Sequence, residues 1–223
     1  MTMLMPPTAI VGDIHGDVEK LLLALDSIES SVRRTIFVGD YIDRGREARC
    51  VLEVLSALRV RHGDRYIFLR GNHDHALLQW LNGGNPDSFL RHGGLATIRS
   101  YFPRPPATVL QEFLCSFPSE HYDFLASTAP YFEEPGLLVS HAGYDPSDPS
   151  RRDLDAMVLG RDPRVLSEVA LKPQDLTVFG HFVQEDGRPL HRDGLFCLDT
   201  GCGTLPGGLL TVLLLPERNF MQF

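Results

Sequence analysis

Short apolar runs alternate with longer segments of helical periodicity along much of the chain. The runs are rich in β-branched and aromatic residues and end at glycine or polar residues, a pattern typical of buried strands. The longer segments carry leucine and other apolar residues on one helical face. The predicted strands span residues 9–11, 35–38, 66–69, 137–139 and 176–179, and the predicted helices span residues 18–29, 47–61 and 74–81. This alternation indicates an α/β fold whose early half is largely parallel.

The middle of the chain breaks this pattern. Residues 82–106 contain two glycine pairs and a cluster of prolines around a short helical stretch at residues 95–102, which indicates an insertion over the sheet. We expect one domain over residues 1–223 in which residues 82–130 form a cap-like helical insertion. Near the end, apolar residues at 195–198 and 209–215 flank a glycine-rich turn and predict an antiparallel hairpin.

The composition indicates a globular chain with its own core. Of the 223 residues, 43% are hydrophobic and 22% are charged, close to the average for soluble domains. A chain of this length buries enough surface to fold without disulfides or a structural metal, so a bound metal is expected to serve chemistry. The cysteines form no C-x-x-C pair and are expected to be free, mostly buried thiols; they are Cys50, Cys115, Cys197 and Cys202.

Charge and hydropathy narrow the range of partners. The chain has 29 acidic and 21 basic residues, a net charge of −8, which argues against nucleic acid because that partner requires clustered cations. The longest apolar stretch, residues 209–215, is far shorter than the ~20 residues of a spanning helix. The N-terminus lacks the basic and apolar regions of a signal peptide. We expect a soluble, cytoplasmic protein that binds neither nucleic acid nor membranes.

A residue able to bind metal follows each of the five predicted strands. In four cases it comes directly after a glycine, whose small size lets the backbone turn sharply beside a bound group. The carboxyl ends of strands in an open α/β sheet meet at one crevice, so the five ends can converge. The six candidate ligands are Asp13, His15, Asp40, Asn72, His141 and His181.

These ligands offer oxygen and nitrogen and no thiolate. That donor set suits Mn²⁺, Fe or Zn²⁺ with open coordination positions, and it does not suit a closed structural zinc site. Six ligands are too many for one catalytic ion. Two ions about 3.5–4 Å apart would use all of them and could clamp the oxygens of an in-line displacement at phosphorus. The residues therefore predict hydrolysis of a phosphate ester.

The same residues lie in five motifs whose order resembles that of the metallophosphoesterase, or calcineurin-like, superfamily. The motifs are Gly12-Asp13-Ile14-His15-Gly16, Gly39-Asp40-Tyr41-Ile42-Asp43-Arg44-Gly45, Gly71-Asn72-His73-Asp74, Ser140-His141-Ala142-Gly143 and Gly180-His181. The most similar branch is the phosphoprotein phosphatases, with their small bacterial and phage serine/threonine members, which residues 91–101 and 197–201 also resemble. The resemblance implies a four-layer α/β/β/α sandwich with two mixed β-sheets and a dimetal site at the carboxyl ends of strands.

The resemblance divides the ligands between two divalent ions, which we expect to be Mn²⁺, with Fe or Zn²⁺ as alternatives. Asp40 bridges the ions. The first ion is bound by Asp13 and His15, and the second by Asn72, His141 and His181. Two departures from the family pattern leave these ligands intact. They are Phe182-Val183, where many bacterial relatives have a threonine, and Asp74, where many eukaryotic members have glutamate.

Four further residues match substrate-handling positions of the family. Asp43 and His73 match an acid dyad, in which His73 protonates the leaving-group oxygen and the carboxylate orients the imidazole. Arg44 matches a phosphate-binding arginine. Arg161 is the candidate for a second one, although its local match is partial because Leu159 stands where a tryptophan is common.

Single residues allow simpler explanations. An aspartate or histidine after a strand is often a helix N-cap or a turn residue, and Asp43 alone could form a surface salt bridge with Arg44 or Arg46. Trp80 is expected to pack its helix. The histidines outside the motifs are expected to be ordinary surface or turn residues; they are His62, His75, His92, His121 and His191. Among them His92 is the best exception, because it lies in the expected cap.

The sequence thus predicts a dimetal-dependent phosphomonoester hydrolase, and most directly a serine/threonine protein phosphatase. Its partner would be a phosphoprotein or a small phosphorylated substrate. One alternative is a diadenosine-tetraphosphate hydrolase, a sister branch that commonly lacks the carboxylate at the position of Asp43. A second is an inactive interaction scaffold, which usually loses ligands that this chain retains. The physiological substrate, the native metal and the oligomeric state stay open.

Overall fold

The computed structural model describes residues 5–102, 104–167 and 175–223, and in these ranges the strands form two mixed β-sheets. The strands are β1 (Thr8–Val11), β2 (Arg34–Phe37), β3 (Tyr66–Phe68), β4 (Tyr131–Glu134), β5 (Leu137–Ser140), β6 (Leu176–Phe179), β7 (Leu190–Arg192), β8 (Leu195–Cys197), β9 (Asp199–Thr200), β10 (Leu209–Leu215) and β11 (Asn219–Gln222). The helices are α1 (Val18–Ile28), α2 (Ala48–His62), α3 (Asn72–Leu81), α4 (Asp87–Arg91), α5 (Gly94–Tyr101), α6 (Val109–Ser116) and α7 (Ser119–Ala126). Short turns of 3-10 helix lie at Gly63–Arg65 and Pro163–Leu166, and a π-helix lies at Asp155–Leu159.

The first sheet has the order β11-β10-β1-β2-β3, with β9 paired to the start of β10. Strands β1, β2 and β3 are parallel to one another, which confirms the parallel early half, whereas β10 runs antiparallel to β1. The second sheet has the order β4-β5-β6-β8-β7, with a parallel centre and antiparallel edges. Both sheets are therefore mixed, as the resemblance implied.

Alternate residues of the central strands pack on opposite sides of the first sheet. In β1, Ala9 and Val11 face the helical side, whereas Ile10 joins the apolar layer between the two sheets. Strands buried on both faces have near-continuous apolar sequences because each face needs its own packing residues. Val178 and Phe196 contribute the second sheet's side of the inter-sheet layer. This arrangement explains the short apolar runs in the sequence.

Helices cover both outer faces and complete the predicted four-layer sandwich. The outer face of the first sheet carries α1, α2 and α3 together with helices of the insertion. In the described residues, the outer face of the second sheet is covered by Asp155–Leu159 and Pro163–Leu166, whose apolar side chains pack around Phe179. Over the residues that the structure describes, the fourth layer contributes fewer helical residues than the first.

The helical insertion, residues 82–130, contributes α4 to α7 to the outer layer of the first sheet. Its α5 and α7 lie against α2, and its Phe89 and Phe113 rings stack on Trp80 with centroids 5.3 and 5.5 Å away. Trp80 is buried, so its predicted packing role is confirmed. Since these rings fix the insertion against α3, residues 92–97 lie directly beside the strand ends.

The predicted hairpin near the C-terminus is wrong. Strand β8 pairs with β6 and β7 in the second sheet, whereas β10 pairs with β1 and β11 in the first. Both β8 and β10 therefore have a neighbouring strand on each side, and they cannot pair with each other. The chain crosses between the sheets at residue 198, and only the two residues of β9 pair with Leu209 and Leu210.

Two smaller expectations also need correction. Helix α3 begins at Asn72, two residues earlier than predicted. Cys197 and Cys202 are buried as expected, but Cys50 and Cys115 are exposed, because each lies on the solvent side of its helix. All four thiols are free, as predicted. In the described part of the chain, none of the helices combines the length and apolar character needed to cross a membrane.

Candidate active site

The six predicted ligands lie at the carboxyl ends of strands or one turn beyond them. Asp13 follows β1, Asp40 follows β2, and Asn72 begins the helix that follows β3. His141 follows β5 and His181 follows β6, so the second sheet delivers its two ligands to the same edge. The topology thus brings together residues separated by up to 168 positions.

Glycines at the strand ends allow this close approach. A Cβ on Gly180 would overlap the Asp13 carboxylate, and one on Gly71 would overlap the Asp40 carboxylate. Gly39 adopts φ +109°, and a side chain there would collide with the backbone of Gly71. Only glycine accepts such a position without strain. The Gly-Asp, Gly-Asn and Gly-His pairs of the motifs therefore have a steric basis.

Asp40 lies at the centre of the cluster. Its Oδ2 is 3.5 Å from Nε2 of both His15 and His141. Donor atoms of Asp13, Asp40 and His141 lie within 4.8 Å of one another, and those of His15, Asp40 and His73 form a second such group. Because Asp40 belongs to both groups, it occupies the position expected of a bridging carboxylate.

Backbone carbonyls orient the three candidate histidine ligands. Nδ1 of His15 donates to the Ile42 carbonyl at 2.8 Å, Nδ1 of His141 to that of Val38 at 3.2 Å, and Nε2 of His181 to that of Gly160 at 2.8 Å. A carbonyl accepts only, so the opposite ring nitrogen presents a lone pair. This is the usual support of metal-binding imidazoles in proteins.

The free lone pairs converge on one point. The side-chain oxygen of Asn72 lies 2.9 Å from Nε2 of His141 and 2.9 Å from Nδ1 of His181, and those two nitrogens are 3.2 Å apart. Three acceptor atoms this close repel one another unless a cation lies among them. The residues present therefore fit a divalent ion with oxygen and nitrogen ligands.

Electrostatics lead to the same conclusion. Burial raises the pKa of Asp13 well above its usual value, and the neighbouring Asp199 carboxylate raises it further. Burial and the Asp13 charge do the same to the pKa of Asp40. Burial lowers the pKa of His15 to about 3 and that of His181 to about 4. Bound cations would reverse the shifts of the carboxylates and reinforce those of the imidazoles, since they stabilise carboxylates and neutral imidazoles.

A buried dyad lies beside the ligand cluster. Nδ1 of His73 donates to Oδ2 of Asp43 at 2.8 Å, and both side chains are almost inaccessible to solvent. The other carboxylate oxygen of Asp43 accepts a hydrogen bond from Thr97 at 2.6 Å. Asp43 therefore does not form the alternative surface salt bridge. Nε2 of His73 faces the cluster, 3.7 Å from Asp40.

Arg44 extends over this dyad. Its Nη2 lies 3.2 Å from Nε2 of His73, and its Nη1 donates to the Thr204 hydroxyl at 3.1 Å. The backbone of Arg44 is in the left-handed region, with φ +64°. The guanidinium is thus placed at the mouth of the site, where it can meet an anion.

Arg161 lies beside a candidate ligand of the cluster, Asn72. It is exposed and lines a cavity of about 240 Å³ together with Asn72, His75 and His92. On its other side it borders a cavity of about 480 Å³ that also includes Tyr144 and Arg151. Arg161 therefore separates the ligand cluster from a larger outer space.

Three residues in and around the site were not assigned roles from the sequence. Asp74 is buried and accepts hydrogen bonds from the backbone nitrogens of Asp40, Tyr41 and Gly71, which joins two ligand loops. Asp199 lies buried near Asp13, and Thr97 contacts Asp43. The sequence does carry signals for these residues. Asp74 lies in the third motif, and Thr97 and Asp199 lie in residues 91–101 and 197–201, where the family resemblance continues.

The fold and the ligand cluster define a class of protein. The Calcineurin-like phosphoesterase family matches residues 6–193, and the chain belongs to this family. The domain is therefore that of a metallophosphoesterase.

Solved structures share this fold at low sequence identity. A candidate diadenosine tetraphosphatase gives a TM-score of 0.64 at 18% identity, covering 100% of this chain and 95% of that one. A protein serine/threonine phosphatase from Saccharomyces cerevisiae gives 0.63 at 15% identity, covering 100% and 81%. A cold-active protein-tyrosine phosphatase from a Shewanella species gives 0.62 at 18% identity, covering 98% and 80%. These likenesses establish the fold and leave the substrate open.

A sequence relative covers a smaller segment. An uncharacterized protein of Caenorhabditis elegans is 33% identical over an alignment of 90 residues that covers 35% of this chain. The chain spans 35% of the length of that relative. This match adds no activity or substrate to the family assignment.

We expect Mn²⁺ to stabilise the protein through this cluster. Binding to the folded state alone at 100 times Kd would raise the melting temperature by on the order of 5–10 °C. Asp40→Asn should remove most of this shift, yet should raise the melting temperature of the metal-free protein because it removes a buried charge. Thermal denaturation with and without Mn²⁺ measures both effects. The exposed Asp26→Asn is the matched control, and an unchanged Mn²⁺ shift in Asp40→Asn would contradict the central position of Asp40.

Proposed function

We propose that the protein hydrolyses phosphate monoesters of serine or threonine side chains with two divalent ions, most suitably Mn²⁺. The observation that carries this proposal is the buried hydrogen bond between Asp43 and His73 beside the ligand cluster. An alkoxide is a strong base and leaves with difficulty unless it receives a proton. A positioned imidazole next to the cluster supplies a group suited to that need.

The ions would be held as the family resemblance implies. Asp13 and His15 would hold one, Asp40 would bridge, and the second would be held by Asn72, His141 and His181. When bound, the ions supply a nucleophilic water at neutral pH and neutralise phosphoryl oxygens. Mn²⁺ accepts this mixed set of carboxylate, amide and imidazole ligands.

The chain's other residues would handle the substrate. Arg44 and Arg161 would bind the equatorial phosphoryl oxygens, for which the guanidinium fork is well suited. When the Arg44 guanidinium moves to the phosphate, it leaves Nε2 of His73. Loss of that neighbouring positive charge lets the imidazole take up a proton from solvent, while Asp43 holds the ring through Nδ1 and stabilises its charge. Nε2 then faces the leaving oxygen and donates this proton to it.

A second candidate function is hydrolysis of dinucleoside polyphosphates. The cavity of about 480 Å³ beside Arg161 favours it, because it offers room for the distal part of a nucleotide. A phosphate leaving group is a weak base and needs no general acid. The buried dyad would then be without a chemical task, so we rank this function second. A scaffold role is less consistent still, since the complete donor set is assembled.

We expect the dyad to matter in proportion to the basicity of the leaving group. His73→Asn and Asp43→Asn should lower kcat on a phosphoserine peptide by roughly 10²–10⁴-fold, the usual contribution of a general acid. Both variants should lose much less on p-nitrophenyl phosphate, whose phenolate leaves without a proton. Steady-state kinetics of metal-loaded protein test this, with His62→Asn and Asp26→Asn as exposed controls and metal analysis for each variant.

Two outcomes would count against this proposal. Equal losses on both substrates would mean that His73 and Asp43 organise the site without donating a proton. If the wild-type protein hydrolyses diadenosine tetraphosphate far faster than any phosphopeptide, the second candidate function replaces the first.

We expect Arg161 to act in phosphate binding. Arg161→Ala should raise KM and lower kcat/KM by on the order of tenfold, about the effect of losing one charge-assisted hydrogen bond. Its metal content should not change, because a guanidinium binds no metal. Kinetics and metal analysis beside the exposed control Arg188→Ala provide the measurement, and normal kinetics in Arg161→Ala would remove it from the site.

A further inference from the structure

The helical insertion contacts the acid dyad and Arg44 at three points. Thr97 on α5 is hydrogen-bonded to Asp43, and the ring of His92 lies 4.8 Å from that of His73 between centroids. Gly93 packs so closely on Arg44 that an added Cβ would lie 3.3 Å from its side chain. All three contacts fall on the side of the site where the leaving group would depart.

Thr97 makes two hydrogen bonds whose directions are fixed. Its hydroxyl oxygen accepts from the backbone N–H of Asp43 at 2.9 Å. The hydroxyl proton is then directed to Oδ1 of the same residue, at 2.6 Å. This leaves Oδ2 as the acceptor for Nδ1–H of His73, at 2.8 Å. One threonine therefore holds the backbone and the carboxylate of Asp43 together.

The turn that Thr97 holds is strained. Asp43 and Arg44 adopt φ +68° and +64°, the left-handed region that non-glycine residues rarely occupy. Consecutive residues in this region persist where surrounding contacts fix them. Thr97 supplies such a contact at Asp43, from a helix 54 positions further along the chain. The hydroxyl is fully buried, so no water replaces it.

We propose that Thr97 is a positioning residue for proton donation to the leaving group, acting through Asp43 on His73. This inference rests on the proposed function, because it assumes that the dyad acts as the general acid. Without the Thr97 hydroxyl, the Asp43 carboxylate can rotate and the imidazole loses its fixed direction. The consequence is a defect that depends on the leaving group.

Thr97→Val tests this proposal, since it keeps the shape of the side chain and removes the hydroxyl. We expect kcat on a phosphoserine peptide to fall about tenfold or more, and kcat on p-nitrophenyl phosphate to change less than about threefold. Thr97→Ser, which retains the hydroxyl, should restore most of the peptide activity. In an Asp43→Asn background, Thr97→Val should add little further loss, as expected for residues acting as a unit.

Thr35→Val is the matched control. Thr35 is also buried, but its hydroxyl has no hydrogen-bond partner among the described residues. It should leave both activities unchanged. Metal content and circular dichroism of every variant show whether the site and the fold are intact, and p-nitrophenyl phosphate turnover gives the same information for Thr97→Val.

The outcomes separate this proposal from the function on which it rests. If Asp43→Asn loses more activity on the phosphoserine peptide than on p-nitrophenyl phosphate but Thr97→Val does not, the role of Thr97 alone is overturned. Failure of Thr97→Ser to restore the peptide activity would have the same meaning. Equal losses on both substrates in Asp43→Asn would overturn the acid dyad, and with it the role of Thr97.

Discussion

The structure depends on how two buried carboxylates are neutralised. Asp13 and Asp40 are almost inaccessible to solvent, and the ion-pair partners of Asp40 in the described residues are histidines. Without bound metal or substrate, burial lowers the pKa of each of these histidines, so they are neutral and leave the Asp40 charge uncompensated. Placing an unpaired charge in a protein interior is strongly unfavourable. Divalent cations resolve this conflict, and the neighbouring lone pairs already converge on positions for them.

The rest of the fold brings these groups together and shields them from solvent. Two sheets end at one edge, and glycines there remove the side chains that would hold the ends at a distance. Asp74 joins two of the ligand loops through backbone hydrogen bonds. The strand ends thus provide the proposed metal ligands, while the helical insertion would support the leaving-group side through Thr97. Under the proposed function, binding of metal and departure of the alcohol are served by different parts of the chain.

Much of the fold and of the ligand set could be predicted from the sequence because the signals are local. A strand buried on both faces has a continuous apolar run, and its carboxyl end is marked by a glycine followed by a ligand, as at Asp13, Asp40 and His181. The parallel sheet follows from the alternation with helices. The convergence of five strand ends then follows from topology.

The missed features depend on contacts between distant parts of the chain. The apolar runs at 195–198 and 209–215 resemble a hairpin, and only the occupied edges of both sheets place them in different layers. Thr97 has no neighbour in sequence that reveals its bond to Asp43. Cys50 and Cys115 lie on helices whose exposed faces depend on how the outer layer packs.

Asp40 is proposed to lie between two divalent ions. Anomalous diffraction at the manganese edge from crystals grown with Mn²⁺ locates such ions. We expect two peaks about 3.5–4 Å apart on either side of the Asp40 carboxylate. One should lie beside Asp13 and His15, and the other beside Asn72, His141 and His181. A single peak, or peaks that Asp40 does not contact, would rule out a bridging Asp40.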